Sequence, residues 1–146
     1  MGPPDALRGL VKGLHHVAIA VPSIAAARGA YERVLGLSAG EPELVGDQKV
    51  NVLVCRAGGQ RIELVEPAGD DSPVSAFLAR RGGGLHHLAF HVDDVAAAVA
   101  ELKRRGARLV DAAPRHGAHG TRIAFVHPAT TGGVLIELVE DPAYQP

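Results

Sequence analysis

Two histidines and two glutamates recur at matched spacing. His16 closes the tripeptide Leu-His-His and lies 47 positions before Glu63, while His87 closes a second Leu-His-His and lies 50 positions before Glu137. Each glutamate sits in the same pentapeptide, Ile-Glu-Leu-Val-Glu, at Ile62–Glu66 and again at Ile136–Glu140. A chain that repeats one imidazole and one carboxylate per half reads as a tandem duplication. Two halves folded alike around a pseudo-two-fold axis bring two nitrogen and two oxygen donors together. Such a set suits a divalent Zn, Co, Ni, Fe or Mn ion and leaves up to two positions open for water or substrate, which indicates catalysis more than a structural clamp. A lone His on a strand is ordinarily a core or surface residue, and a lone Glu is ordinarily solvated. The recurrence in matching context decides for the metal. Between aliphatic neighbours, a mid-strand carboxylate is costly to bury unpaired, so Glu63 and Glu137 call for a cation.

The elements that must position these groups are legible from the pattern. His15 to Val21 alternates as a strand: Val17, Ile19 and Val21 share one face, His16, Ala18 and Ala20 the other. Leu88, Phe90 and Val92 repeat the bulky face opposite His87, Ala89 and His91. The bulky face packs on a helix, and the small face lines a space. That parity selects His16 and His87 as the inward histidines and turns His15 and His86 away. A helix follows each strand, the first capped by Ser23 and ending near Gly36, the second capped by Asp93 or Asp94 and ending at Gly106. Val95, Ala98, Val99 and Leu102 form its apolar stripe. Strands are expected over residues 36–43, 50–56 and 60–66, then 108–112, 122–127 and 134–140. Each half is therefore β-α-β-β-β. The fold class is α+β: two tandem modules forming a curved eight-stranded sheet around one metal. Residues 1–12 read as a flexible tail, 13–68 as the first module, 69–84 as a linker helix (Ser72 cap, Pro73 first, Val74, Phe77 and Leu78 inward) with a glycine hinge, 85–141 as the second module and 142–146 as a C-terminal tail.

Composition narrows the rest. The 146 residues suit one domain or two small modules sharing a core. A net charge of −1 and 3% aromatic residues argue against a nucleic-acid surface. No apolar run reaches the ~20 residues of a membrane span. No secretory signal is evident, and the single cysteine, Cys55, excludes an internal disulfide or a thiolate metal cluster, so a cytoplasmic setting is expected.

Further segments carry a family resemblance: Leu-His-His-Val-Ala-Ile-Ala-Val at 14–21, Asp-Gln-Lys-Val at 47–50, Ile-Glu-Leu-Val-Glu-Pro at 62–67, Asp-Ser-Pro-Val at 71–74, Leu-His-His-Leu-Ala-Phe at 85–90, Gly-Ala-His-Gly at 117–120, His-Pro at 127–128 and Gly-Gly-Val-Leu-Ile-Glu-Leu at 132–138. Over about residues 13–141 the chain resembles the vicinal oxygen chelate superfamily, and within it the methylmalonyl-CoA epimerase family. The His/Glu pairs mark the superfamily; the middle segments favour the epimerases. The resemblance implies a metal held by His16, His87 and Glu137, with Glu63 as fourth ligand or near-ligand, and Co2+ favoured over Zn2+, Ni2+ or Mn2+. Some epimerases carry Gln at the position of Glu63 and a separate Glu on the preceding strand, a position matched here by Val52. The second acid/base role therefore falls to Glu63, opposite Glu137. Gln48 matches a polar position near the substrate or a metal water. A homodimer is carried over as an expectation.

The implied reaction interconverts (2R)- and (2S)-methylmalonyl-CoA by removing the α-proton and returning it to the opposite face, through an enolate whose charge a divalent cation offsets. Two bases across a duplicated site suit inversion, and a positioned base supplies typically ~10²–10⁴ in rate. Lys49, Arg61, Arg115 and Arg122 are candidates for the phosphates of the acyl-CoA. Gly117–Gly120 and Thr130–Gly133 are either hairpin turns or places where backbone amides approach the acyl group. His15, His86, His91, His116, His119 and His127 are read as second-line, loop or surface groups, and Glu66 and Glu140 as solvated. The alternatives are a glyoxalase I-type lactoylglutathione lyase with the same ligands, an extradiol dioxygenase, and a non-catalytic small-molecule-binding relative.

Overall fold

The computed structural model describes residues 10–145. By contacts the chain divides into two compact units, His16–His87 on the one hand and Met1–His15 with Leu88–Pro146 on the other. The division does not follow the repeat: it falls inside the two strands that carry the Leu-His-His tripeptides.

In the His16–His87 unit, strand β1 (Val11–Ala20) enters, followed by helix α1 (Ile24–Gly29), strands β2 (Ser38–Ala39), β3 (Glu43–Val45), β4 (Val50–Ala57) and β5 (Gln60–Pro67), and helix α2 (Pro73–Arg81). β2 and β3 both pair antiparallel with β4, β4 pairs antiparallel with β5, and β5 runs parallel to β1. The other unit receives strand β6 (Gly84–Val92), then helix α3 (Val95–Arg104) and strands β7 (Arg115–His116), β8 (Arg122–Val126) and β9 (Ile136–Glu140). Here β6 runs parallel to β9, which pairs antiparallel with β8, and β8 with β7. The second half keeps the β-α-β-β-β order, and the first has one strand more after its helix.

Helix starts follow the expected chemistry. Ser23 Oγ accepts from the Ala26 amide at 3.2 Å, Ser72 Oγ from Val74 at 3.2 Å, and Asp94 Oδ1 from Ala97 at 3.0 Å, so of the two candidate caps for α3 it is Asp94 that acts. Pro73 opens α2, and Gly82 closes it with a left-handed φ of 75° that only glycine adopts without strain. The first helix finishes in a π-helical turn, Ala30–Val34, closed by Leu35 N–H donating to Ala30 O, before Gly36 turns the chain.

The cores show which face went inward. Val21, Ile24, Leu53, Cys55 and Leu64 form one cluster, joined by Ile19, Ala27 and Tyr31, so the bulky side of β1 lies against the first helix as the alternation predicts. Val92, Val95, Ala98, Val99, Ala124, Val126 and Leu138 form the matching cluster under α3, with Leu102 packed against it.

Four expectations are corrected. The predicted strand 36–43 is split by Gly40 and Pro42 into β2 and β3, which makes nine strands among the described residues; Pro42 lacks the N–H a continuous ladder would need. Residues 108–112 form only an isolated bridge, Leu109 to Val126, and the edge strand is β7 instead. Of residues 1–12, read as an N-terminal tail, Val11 and Lys12 belong to β1, and residues 1–9 lie outside the described ones. The C-terminal segment is not a bare tail either, because the Tyr144 ring stacks on His91 with centroids 4.1 Å apart; Pro146 lies outside the described residues.

Candidate metal centre

The register of the parallel strand pairs places each glutamate. In the His16–His87 unit, Ala18 stands opposite Glu63 across β1 and β5, and Val54 stands opposite Glu63 from β4. In the other unit, Ala89 stands opposite Glu137 across β6 and β9, with Phe125 on the β8 side. Side-chain direction alternates along a strand, so each histidine, two residues before its alanine, lies on the same face as that glutamate. The alanine explains why there is room: both Ala18 and Ala89 are fully buried, and a methyl group is all they place beside the carboxylate. His16, Glu63, His87 and Glu137 are themselves buried, none more than 8% exposed.

Within the His16–His87 unit the three donors have a definite arrangement. His16 Nδ1 lies 3.1 Å from Glu63 Oε2. His87 Nδ1 lies 2.8 Å from His86 Nδ1. The remaining ring nitrogens, His16 Nε2 and His87 Nε2, face each other at 3.3 Å. A carboxylate accepts, so a neutral His16 that donates from Nδ1 to Glu63 carries a lone pair on Nε2. When His87 likewise donates from Nδ1 to His86, its Nε2 also carries a lone pair. Two lone pairs facing each other in a buried site repel; a cation between them turns the repulsion into ligation. The spacing fits, since two imidazole nitrogens each ~2.1 Å from one ion at angles near 90–110° stand roughly 3.0–3.4 Å apart. Holding the far nitrogen of a ligand imidazole with a carboxylate or a second imidazole is how metal sites fix tautomer and ring orientation. The residues present therefore fit a divalent metal.

Several sequence readings change at this level. His86 was turned away from the site by parity, yet it meets His87 and packs its ring edge-on against Phe77 with centroids 4.9 Å apart. Glu66 and Glu140, read as solvated, are partly buried and held by hydrogen bonds. Glu66 Oε1 accepts from the Ile24 amide at 2.7 Å and Oε2 from Asn51 Nδ2 at 3.0 Å, while Glu140 Oε1 accepts from the Val95 amide at 3.0 Å. Ile24 and Val95 are the first residues of α1 and α3, so the second glutamate of each pentapeptide satisfies an amide at a helix N-terminus and lies at its positive end. His15 is buried and sits 2.7 Å from Asp141, a partner that no local pattern could have named.

Gln48 is half-buried on a one-turn 3₁₀ helix, Gly46–Gln48, between β3 and β4. Val52 stands opposite Val65, and across the other edge of β4 it stands opposite Glu43, so that row of the sheet does carry a carboxylate. Of the basic residues considered for the substrate's phosphates, Lys49 pairs with Asp71, Arg115 Nε lies 3.0 Å from Asp111, and Arg122 lies 3.8 Å from Glu140.

Residues 15–125 match the Glyoxalase/Bleomycin resistance protein/Dioxygenase superfamily. An uncharacterised protein of Bacillus subtilis, YqjC, is 47% identical over 127 residues, which cover 87% of this chain and 91% of that protein. The mitochondrial methylmalonyl-CoA epimerase of Bos taurus is 41% identical over 126 residues, covering 86% of this chain and 72% of the bovine protein. A solved methylmalonyl-CoA epimerase in complex with methylmalonyl-CoA and NH4+ superposes with a TM-score of 0.85 at 34% identity, over 92% of this chain and 96% of that one. The chain belongs to the glyoxalase/bleomycin resistance protein/dioxygenase superfamily and, within it, to the methylmalonyl-CoA epimerase family.

Proposed function

We infer that the protein is an isomerase that epimerises methylmalonyl-CoA, interconverting the 2R and 2S forms by proton abstraction and return at the α-carbon. The observation that carries the reading is the pair of buried imidazoles with Nε2 atoms facing at 3.3 Å, on a chain similar to methylmalonyl-CoA epimerases over most of its length. His16 and His87 hold a divalent cation, and Glu137, the duplicate of Glu63 in sequence and in strand register, completes the set. When bound, the cation supplies a positive centre for the negative charge that develops as the α-proton leaves. Glu63 and Glu137 exchange the proton, one on each face of the α-carbon.

Burial is what makes these carboxylates effective. In a site screened from water the charge of a base and the charge of an enolate are felt at full strength, and no solvent has to reorganise as the proton moves. Glu63 has two oxygens, and the hydrogen bond to His16 Nδ1 uses one of them. That leaves the carboxylate oriented by the imidazole with an oxygen to accept the α-proton, and makes Glu63 both the orienting partner of a ligand and a base. Ala18 keeps the adjacent space open for the acyl group. Gln48 is proposed as a substrate-binding residue. Co2+ is the ion favoured here, with Zn2+, Ni2+ or Mn2+ as substitutes. The other partners proposed are an acyl-CoA substrate and a second copy of the chain in a homodimer, with the cytoplasm as location; among the described residues no helix is long and apolar enough to cross a membrane.

The testing experiment is incubation of the purified protein with methylmalonyl-CoA in deuterated water. Deuterium at the α-carbon together with loss of optical asymmetry is the expected result. Turnover of a glutathione hemithioacetal in place of methylmalonyl-CoA would instead assign the lyase activity.

A further inference from the structure

Resting on the metal reading above, we propose that Asp141 and Tyr144 are positioning residues for the metal centre: the turn after β9 fastens the strands from which the ligands project. Asp141 Oδ2 lies 2.7 Å from His15 Nε2, with both side chains 5% exposed or less. Its other oxygen accepts from the Ala143 amide at 2.9 Å, and the Tyr144 amide donates to Asp141 O at 3.0 Å, so the turn is closed on itself. The turn then delivers the Tyr144 ring flat onto His91, with centroids 4.1 Å apart and planes 11° from parallel, and within 6.0 Å of the His15 ring.

The knot meets all three ligand-bearing strands. His15 precedes His16 on β1, His91 lies on β6 four residues after His87, and Asp141 follows β9 four residues after Glu137. Asp141 and Tyr144 lie beyond residues 15–125, where the superfamily match ends. A buried hydrogen-bonded pair and a stacked ring are stiff contacts: breaking the pair takes a hydrogen-bond partner from a buried polar group, and removing the ring uncovers a buried imidazole whose Nδ1 has no hydrogen-bond partner among the described residues. Metal affinity depends on ligand spacing held within about half an ångström, so loosening the knot changes the centre before it unfolds the chain.

The test is Co2+ titration of metal-free wild type, Asp141→Asn and Tyr144→Ala, followed by calorimetry and by the visible Co(II) absorption band, with thermal unfolding of each metal-free form. Val99→Ala, in the core under α3, serves as a variant that lowers stability at a distance from the knot. The expected result is roughly 10–100-fold weaker Co2+ binding and a changed absorption band for Asp141→Asn and Tyr144→Ala, with Val99→Ala binding like wild type. Affinity and band unchanged in either knot variant, with only its melting temperature lowered, would overturn the proposal for that residue and leave it a plain structural contact. Wild type that binds no Co2+ at all would overturn the metal reading itself and this inference with it.

Discussion

The imidazole of His16 is held at its Nδ1 by Oε2 of Glu63, 3.1 Å away, across two parallel strands whose register sets Ala18 beside that glutamate. One carboxylate thereby has two tasks, orienting a ligand and exchanging a proton, and amide substitution separates them. In Glu63→Gln the side-chain oxygen still accepts from His16 Nδ1. Metal content is therefore expected to stay near that of wild type, while deuterium exchange at the α-carbon falls by roughly 10²–10⁴. Elemental analysis beside an exchange assay checks both; exchange at the wild-type rate removes Glu63 from the proton transfer.

Ala18 and Ala89 each leave the space beside a buried glutamate open. Ala18→Leu is expected to overfill that space, destabilising the protein by about 1–3 kcal/mol and lowering Co2+ occupancy. Ala25→Leu on the exposed side of α1 should change neither. Denaturant unfolding with metal analysis reads the contrast, and an Ala18→Leu protein with normal stability and full occupancy contradicts it.

Glu66 and Glu140 hold the first amides of α1 and α3. Glu66→Ala and Glu140→Ala are each expected to cost about 1–2 kcal/mol, because an amide at a helix start loses its partner. Neither residue has a role in turnover, so activity per folded molecule stays within about twofold of wild type, an order-of-magnitude allowance for small shifts in geometry. Urea midpoints and active-site-normalised rates distinguish this from a catalytic role.

What the sequence made legible was whatever recurs or is local. The doubled Leu-His-His and Ile-Glu-Leu-Val-Glu segments and the alternation of Val17, Ile19 and Val21 located the four buried donors. Ser23, Ser72 and Pro73 act within a few residues of themselves, so their caps could be read directly, while for α3 the sequence left Asp93 and Asp94 open. Contacts made at a distance could not be read. The Glu66 carboxylate reaches Ile24 and the His15 imidazole reaches Asp141 only because of strand order, and a glutamate at a strand end looks solvated until its helix is in place. The break between β2 and β3 falls at Gly40 and Pro42, local strand breakers within the span expected as one strand. His86 shows the limit of strand parity: an imidazole on the far side of a backbone can still bring its Nδ1 to that of the next residue.

Stability should fall in acid for a reason independent of the metal. Hydrogen bonds from Arg104 and then Arg105 hold the Glu101 carboxyl below its ordinary value of 4.5, and a hydrogen bond from Arg28 does the same for Glu32. A carboxyl with a depressed folded value favours the folded state above about 4.5 and loses that contribution as pH falls through the depressed value. Both groups lie partly exposed to solvent, so the effect is small and salt-sensitive. The melting temperature of the metal-free protein is expected to decline more steeply below about pH 4.5 in wild type than in a Glu32→Gln, Glu101→Gln double variant. Parallel curves for the two proteins contradict the assignment.

The most direct measurement compares α-carbon deuterium exchange of methylmalonyl-CoA by fully chelated protein with exchange by the same sample after one equivalent of Co2+ is returned. Exchange is expected to be lost on chelation and restored with Co2+, and His16→Ala and His87→Ala should fail to regain it. Undiminished exchange by the exhaustively chelated protein would contradict a metal held between the two imidazoles.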